Sequence, residues 1–386
     1  MKWEKEKLGE ICEILDNKRK PISKNKRIAG EYPYYGATGI VDYVNDFIFD
    51  ERLVLVGEDG AKWCSGDNTA FIVEGKVWVN NHAHVLKPKN NLIDSYLVYY
   101  LNHQDLSDYI TGLTVPKLNQ EKLRSIPIPL PSLEEQRAIV AKLDQAFAAI
   151  DQAKANIEKN IANAKELFQS KLNQIFSQKG EGWEEKRIKE IGKVQTGTTP
   201  PTKDKDNYGE FIPFIKPAHF NSDGSLTPLD SYLSEKGIKK SRLIEANSVL
   251  MVCIGATIGK TGFTEIDVTC NQQINAVTPS KNYNYKFIYF GMISRIFQDE
   301  VLENGKGAQA TLPIINKSKW ENLFLNVNPN KDAQQQIVTQ LDQLQEQTNL
   351  LVIKYQQKLA NLEELKKSIL EKAFKGELST AAIEKV

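Results

Sequence analysis

The chain has 386 residues, 41% of them hydrophobic, with 50 basic against 49 acidic side chains and a formal net charge of +1. That apolar content supports two or three cored domains and excludes a disordered chain. The balanced charge excludes a uniformly basic nucleic-acid binder, so any polyanion contact must come from local patches. Cys12, Cys64, Cys253 and Cys270 form no Cys-x-x-Cys pair, which argues against a zinc module and fits a reducing compartment. No leader is read after Met1, and apolar runs such as VLMVCI (249–254) are too short to span a bilayer. The expectation is a soluble cytoplasmic protein with no membrane partner.

The opening WEKEKLGEI (3–11) returns as WEEKRIKEI (183–191), an offset of 183 − 3 = 180 residues. A basic loop follows the first copy: DNKRKPISKNKR (16–27) carries Lys18, Arg19, Lys20, Lys24, Lys26 and Arg27 against one Asp, net +5. Beside the aromatics of EYPYYGATG it suits phosphate contacts, although a solvated surface loop has the same composition. Short β-like runs at 52–56, 69–73 and 76–79 and a helix near 94–102 give an α+β body. Asn80, Asn81 and His82 sit between two such runs as candidate base readers. His82 and His84 could share one strand face, but no third ligand is near and no metal site is expected.

IPIPLP (126–131) reads as an extended lead-in, followed at once by the Ser132–Glu135 capping-box pair. Ile139, Leu143, Ile150, Ile157, Ile161 and Phe168 then recur in three- and four-residue steps, predicting one helix over 132–178. The second half offers Thr198, Thr199 and Lys203 in TGTTPPTK, a weaker basic stretch SEKGIKKSR (234–242), and GATIGKT (255–261) with Lys260. That glycine motif has three residues between its glycines where a phosphate-binding loop needs four, so it reads as a tight turn. Asn271, Gln272 and Gln273 align with the 80–82 triplet at an offset of 191, and Lys306 and Gln309 lie in a further polar loop. Pro116/Asn119 and Pro313/Asn316 repeat at 197.

A second helix is predicted over 330–376 from Ile337, Leu341, Leu344, Thr348, Leu351, Tyr355, Leu362, Leu365 and Ile369, ending near Gly376. QRAIVAKLDQ (136–145) in the first helix reappears as QQQIVTQLDQ (334–343) in the second, offset 198. A period near half the chain implies two copies of a whole domain plus a helix rather than a solenoid. The organisation expected is body 1–131, helix 132–178, body 179–329, helix 330–376 and tail 377–386. Packing of one stripe on the other gives an antiparallel coiled coil with a body at each end and internal pseudo-two-fold symmetry. Two separate arms that dimerise with other chains are the alternative.

Catalytic signatures are missing. NPNK (328–331) only approaches the Asn/Asp-Pro-Pro-Tyr/Phe tetrapeptide of amino-methyltransferases, and no Ser/His/Asp arrangement stands out. The chain reads as a recogniser or scaffold, not an enzyme, with no cofactor of its own.

IPIPLPSLEEQRAIVAKLD (126–144), QQQIVTQLD (334–342) and LKKSILEKAFKGELS (365–379) resemble the specificity subunit of type I restriction-modification systems. GTTP (197–200), IPFIKPAHF (212–220), SVLMVCIGATIGK (248–260) and NQQINA (271–276) resemble segments of that family's target recognition domains. The resemblance covers essentially the whole chain. It implies that each body reads one half of a bipartite site in double-stranded DNA, and that the helices are spacers docking two methyltransferase subunits. S-adenosylmethionine and ATP would then belong to partner methyltransferase and restriction subunits. NPNKDAQQQ (328–336) departs from the usual Pro-Leu-Glu-Glu-Gln lead-in, leaving the second helix start open. A coiled-coil oligomerisation scaffold, or a recognition module of another DNA-modifying defence system, remains an alternative.

Overall fold

The computed structural model describes residues 3–112, 114–180, 182–228, 231–305 and 313–378. The chain divides into two compact units, Met1–Ile157 with Gln356–Val386, and Glu158–Tyr355. Each is an α+β body with segments of two long helices, Leu133–Phe176 and Lys331–Lys375. No helix among the described residues is long and apolar enough to cross a membrane.

In the first unit the strands Leu53–Gly57 and Ala83–Pro88 lie at the centre of a sheet, with Leu53–Gly57 and residues 83–86 buried, because central strands are covered on both faces. The order is Cys12–Ile14, Ala83–Pro88, Leu53–Gly57, Ala70–Val73, all antiparallel. Side chains alternate between two cores as the pleat requires. Val54, Val56 and Leu86 join the helix Asp94–His103 and the long-helix segments. Leu53, Leu55 and Val85 face a second sheet of Gly39–Val44, Ala29–Gly36, Lys76–Val79 and Phe49–Asp50.

The second unit repeats this order with Gly192–Thr196, Ile274–Pro279, Ser248–Val252 and Thr261–Thr264. Ile14 pairs with Leu86 and Val194 with Val277, so positions 194 − 14 = 180 and 277 − 86 = 191 apart are equivalent. Val249 and Met251 enter the helix-side core, Leu250 and Val252 the opposite one. The glycine motif is the tight turn closing this sheet's hairpin: Gly255 and Gly259 hold φ of +100° and +87°, and Gly259 N–H donates to the carbonyl of Val252 at 2.9 Å. The repeated asparagines are helix caps, Asn119 accepting from Lys122 N–H and Asn316 from Lys319 N–H, each at 2.9 Å.

The first long helix starts on a reciprocal cap: Glu135 N–H donates to Ser132 Oγ at 3.2 Å and Ser132 N–H to Glu135 Oε2 at 3.3 Å. The second resolves its unusual lead-in differently, with Asn330 Oδ1 accepting from the amides of Asp332 and Ala333 at 2.9 and 3.1 Å. It ends at Gly376, whose φ of +76° lets Glu377 N–H return to the carbonyl of Lys372 at 2.9 Å. Within the first unit the two helices are antiparallel: Lys142 Nζ meets the carbonyl of Leu378 at 3.2 Å, Lys366 Nζ lies 4.8 Å from the Phe147 ring centre, and Lys154 pairs with Glu363.

Ile139, Leu143, Ile150 and Leu341 are buried. Ile157, Ile161, Phe168, Ile337, Leu344, Tyr355, Leu362, Leu365 and Ile369 are partly buried. Leu351 departs from the expected stripe, being 39% exposed. A straight helix at 3.6 residues per turn drifts away from a strict heptad, so after Thr348 the partly buried Val352 takes its place. Nearer the bodies the stripe widens to include Val338, Leu370, Ala373 and Phe374, which pack on the domains and which the single-stripe pattern missed.

The first residue of each QRAIVAKLDQ-type repeat is a fully buried glutamine. Gln136 Oε1 accepts from Ile93 N–H at 2.8 Å while its Nε2 donates to the carbonyls of Asn91 and Pro131 at 2.9 and 3.0 Å. Gln334 makes the same three bonds to Asn284 N–H, Asn282 and Asn328 at 2.7, 3.1 and 2.7 Å. One carboxamide thus satisfies the loop before each body's helix and the lead-in of the long helix together. Gln136→Ala and Gln334→Ala would each strand these groups, and a loss of about 3 kcal/mol in chemical denaturation is expected from unpaired buried polar groups. An unchanged midpoint would show that the clamp contributes nothing.

Candidate nucleic-acid interface

In each unit one end of the four-stranded sheet gathers the loop after its first strand, the turn before its last strand and the loop after its central hairpin strand. In the first unit these are the stretch from Asp16, the Asn80–His82 turn and the segment from Glu58. Backbone bonds lock them: Glu58 N–H donates to the carbonyl of His82 and Leu118 N–H to that of Glu58, at 2.9 and 2.8 Å. Asn80 is buried, its Oδ1 accepting from His82 N–H at 2.8 Å, so it shapes the turn instead of facing solvent. Asn81 and His82 are exposed, with His82 Nδ1 paired to Asp59.

Arg19 does not reach outward as the charge count suggested. Its side chain is only 13% exposed and lies against Glu58 at 2.5 Å and Asp16 at 3.4 Å, donating also to the carbonyl of Ala83 at 2.8 Å. Lys117 pairs with the other Glu58 oxygen at 2.7 Å. His84 is fully buried, Nδ1 on Asp16 at 2.6 Å and Nε2 on the carbonyl of Leu118 at 2.7 Å. The ligand atoms of Asp16, Glu58 and His84 lie within 4.8 Å of one another, a spacing a metal could use. Both ring nitrogens lie within hydrogen-bond distance of acceptors, and Arg19 and Lys117 pair with the carboxylates, so the groups already satisfy one another as a buried polar network. Burial pushes the Asp16 carboxyl up, but the hydrogen bond and charge of His84, with Gln120 and Val85 N–H, outweigh it and hold the group below its ordinary range.

Arg27 is also engaged, paired with Asp42 at 3.0 Å and stacked 4.4 Å over the Tyr34 ring. Of the basic loop, Lys18, Lys20, Lys24 and Lys26 remain exposed. They are the groups able to meet phosphates.

The second unit builds the same end with neutral groups. Thr196, Cys253 and Asn275 occupy the positions of Asp16, Glu58 and His84 (offsets 180, 195 and 191), bonded as Thr196 Oγ1 to Asn275 Oδ1 at 2.7 Å and Asn275 Nδ2 to Cys253 Sγ at 3.2 Å. Cys253 N–H donates to the carbonyl of Gln273 at 2.7 Å, matching the Glu58–His82 bond. The Asn271–Gln273 turn carries an exposed Gln272 that receives the Thr199 hydroxyl, while Thr198 N–H donates to the carbonyl of Cys270 at 2.9 Å. Lys203 and Lys260 are exposed nearby in the chain. Lys236 and Lys240 of the weaker basic stretch are neutralised by Asp204 at 3.2 and 3.0 Å. Lys306 and Gln309 lie outside the described residues.

The profile of the family described as the type I restriction modification DNA specificity domain matches residues 1–163 and 180–362. A putative type I restriction enzyme specificity subunit of Haemophilus influenzae, S.HindORF215P, is 38% identical over 141 residues, 36% of either chain. The MjaIX specificity subunit of Methanocaldococcus jannaschii is 23% identical over an alignment of 417 residues, 97% of this chain and 93% of that one. A solved chain from work on complex assembly and conformational transition of the type I R-M system superposes with a TM-score of 0.74 at 20% identity, over 97% of this chain and 98% of that one. The last is a likeness of fold.

The charged and neutral versions respond differently to acid. Asp16, titrating below its ordinary range, contributes stability that is present above that range and is lost as pH falls through its folded pKa. Asp16→Asn removes the buried carboxylate to which His84 Nδ1, Gln120 Nε2, Val85 N–H and Arg19 are joined and is expected to cost about 3 kcal/mol at neutral pH, with a shallower acid limb in a denaturation-versus-pH series. Thr196→Val should cost about 1 kcal/mol with no pH dependence of its own. Equal pH slopes for wild type and the Asp16 variant would refute the assignment.

Proposed function

The chain belongs to the type I restriction modification DNA specificity family, and from that membership we propose that it is the non-catalytic DNA-recognition subunit of a type I restriction-modification complex in the cytoplasm. The observation that carries the reading is the repeated sheet end: the same turn, from the same register, presents polar side chains to solvent in both units, with exposed lysines on the neighbouring loops. Lysines at such a surface neutralise phosphates and release counterions, which gives affinity and register. Carboxamide and imidazole groups at the turn read base edges. Two readers of one design recognise a site of two short parts separated by unread base pairs.

The two long helices contribute to both units, and their length sets the gap between the two parts. Their outward faces dock two methyltransferase subunits, which supply S-adenosylmethionine chemistry on a flipped adenine, while ATP is used by restriction subunits. This chain's own task is to bind and orient.

Mapping methylated adenines in a host carrying the chain with its methyltransferase partner is expected to return a two-part motif with a fixed gap; a continuous motif, or none, would count against the reading. DNA binding by that complex should weaken steeply with salt, and a flat response would remove the phosphate contacts. Inserting four residues at Lys159 within the first long helix should lengthen the gap or abolish methylation. An unchanged gap would show that the helix is not the spacer.

A further inference from the structure

In the first unit an open groove of about 430 Å³ runs between the strand Ala70–Val73, the helix Asp94–His103 and the first long helix, with Phe71, Ile72, Ser95, Val98, Tyr99 and Asp144 among its walls. Ala70–Val73 is the edge strand of its sheet. Residues opposite each other in an antiparallel pair alternate between bonded and non-bonded. Gly57 N–H donates to the carbonyl of Thr69 at 2.9 Å, which makes 56/70 and 54/72 non-bonded pairs and turns the backbone groups of Ala70 and Ile72 outward. Asn102 closes the first of these, its Oδ1 accepting from Ala70 N–H at 2.7 Å and its Nδ2 donating to the Ala70 carbonyl at 2.9 Å. Among the described residues nothing meets Ile72 N–H. Across the groove Asp144 accepts from the Tyr99 hydroxyl at 2.5 Å, and among the described residues no cation pairs with it.

The second unit fills the same place from its own chain. Strand register equates Ile72 with Phe263, and the helix and repeat offsets of 191 and 198 equate Ser95 with Lys286 and Asp144 with Asp342. Lys286 Nζ pairs with Asp342 at 3.0 Å. Phe263 N–H, the counterpart of the open Ile72 amide, donates to the carbonyl of Gly224 at 2.9 Å. Gly224 belongs to a connection that is longer in this unit: Pro33 pairs with Tyr43 as Pro213 pairs with Tyr232, so the second carries 189 − 180 = 9 more residues there. That connection covers Gly262, where a Cβ would meet the Gly224 oxygen and Leu226 at 2.8 Å, and it lies against the Tyr289 ring. A backbone carbonyl, a lysine and an apolar cover thus close the edge. The first unit presents the matching amide, carboxylate and apolar wall and supplies none of the three.

Complementarity to that edge defines its occupant. An open amide on an edge strand takes the carbonyl of an added peptide, and a carboxylate beside apolar walls takes a lysine or arginine. Asp144 repels phosphate, which sets nucleic acid aside. The same residue lies on the long helix to which the proposed function assigns methyltransferase docking. We propose that a peptide segment of the methyltransferase subunit docked on the first unit adds to the strand edge at Ile72 and sets a basic side chain on Asp144, while the second unit, closed by its own chain, receives its methyltransferase subunit without such an insertion. The inference rests on the docking proposed above and makes the two docked copies unequal.

The test titrates the full chain with the methyltransferase subunit of the same system and follows the two docking steps by native mass spectrometry and calorimetry, for wild type, Asp144→Asn and Ser95→Lys. Asp144→Asn keeps an acceptor for the Tyr99 hydroxyl and removes the charge. Ser95→Lys copies Lys286 and neutralises Asp144 from within the chain. Each should weaken one docking step by about tenfold or more and leave the other at its wild-type strength, which also reports a folded chain. Wild-type strength at both steps in both variants overturns the inference and leaves the DNA-recognition function standing, and so does an equal loss at both steps. Normal docking of both copies with altered DNA binding by the assembled complex would give the groove to nucleic acid and overturn it equally. A wild-type chain that docks no methyltransferase subunit removes the proposed function and the inference with it.

Discussion

The rest of the structure depends on a buried carboxamide that appears twice. Gln136 and Gln334 each sit at zero exposure on the first turns of a long helix and close three bonds to backbone groups of two other segments. A helix and a loop joined only by apolar contact can slide; groups that must each find a partner in a water-free site cannot, since every displacement leaves a donor or acceptor unpaired. The clamp is reinforced by Asp144 and Asp342, eight residues further along each helix, which hold Tyr99 at 2.5 Å and Lys286 at 3.0 Å. The body's own helix, and through it the central sheet, is thereby set at one angle to the long helix. The exposed turn at the end of that sheet inherits its position from a glutamine in the helix.

Given a fixed frame, chemistry beneath the turn can change without moving the turn. Both units need something polar at the paired positions 16/84 and 196/275, where the sheet ends and backbone groups of the next segment arrive. One answer is ionic, with desolvation of Asp16 and Glu58 offset by Arg19, Lys117 and His84. The other is neutral, with Thr196, Asn275 and Cys253 sharing hydrogen bonds in the same places. The amide of residue 58 or 253 reaches the carbonyl of residue 82 or 273 in either case.

Much of this was legible in the chain. The duplicated segments, the Ser132–Glu135 cap, the asparagine caps and the buried strands all rest on local patterns that short-range physics enforces. What failed was anything decided by a distant partner. Arg19 counts as one charge among six in a basic loop, and only the fold brings Glu58, 39 residues on, against it. Gln136 and Gln334 look like surface residues of amphipathic helices because a polar side chain on a helix is usually solvated. Nothing in the helical period reveals the loop carbonyls that receive them. Leu351 follows the heptad on paper, while the 3.6-residue turn hands its place to Val352.

These failures explain why the two copies agree where they do. A residue that meets backbone, like the clamp glutamine, serves the same role in any body whose chain path is the same, so duplication can leave it untouched. A residue that meets a side chain, like Thr199 on Gln272, is bound to that partner and has no reason to match its counterpart. The repeated QRAIVAKLDQ and QQQIVTQLDQ stretches belong to the first kind and the turns to the second. Similarity between the halves therefore marks the frame. Dissimilarity collects at equivalent, exposed positions whose bonds go to other side chains, where no shared backbone path holds the residue constant.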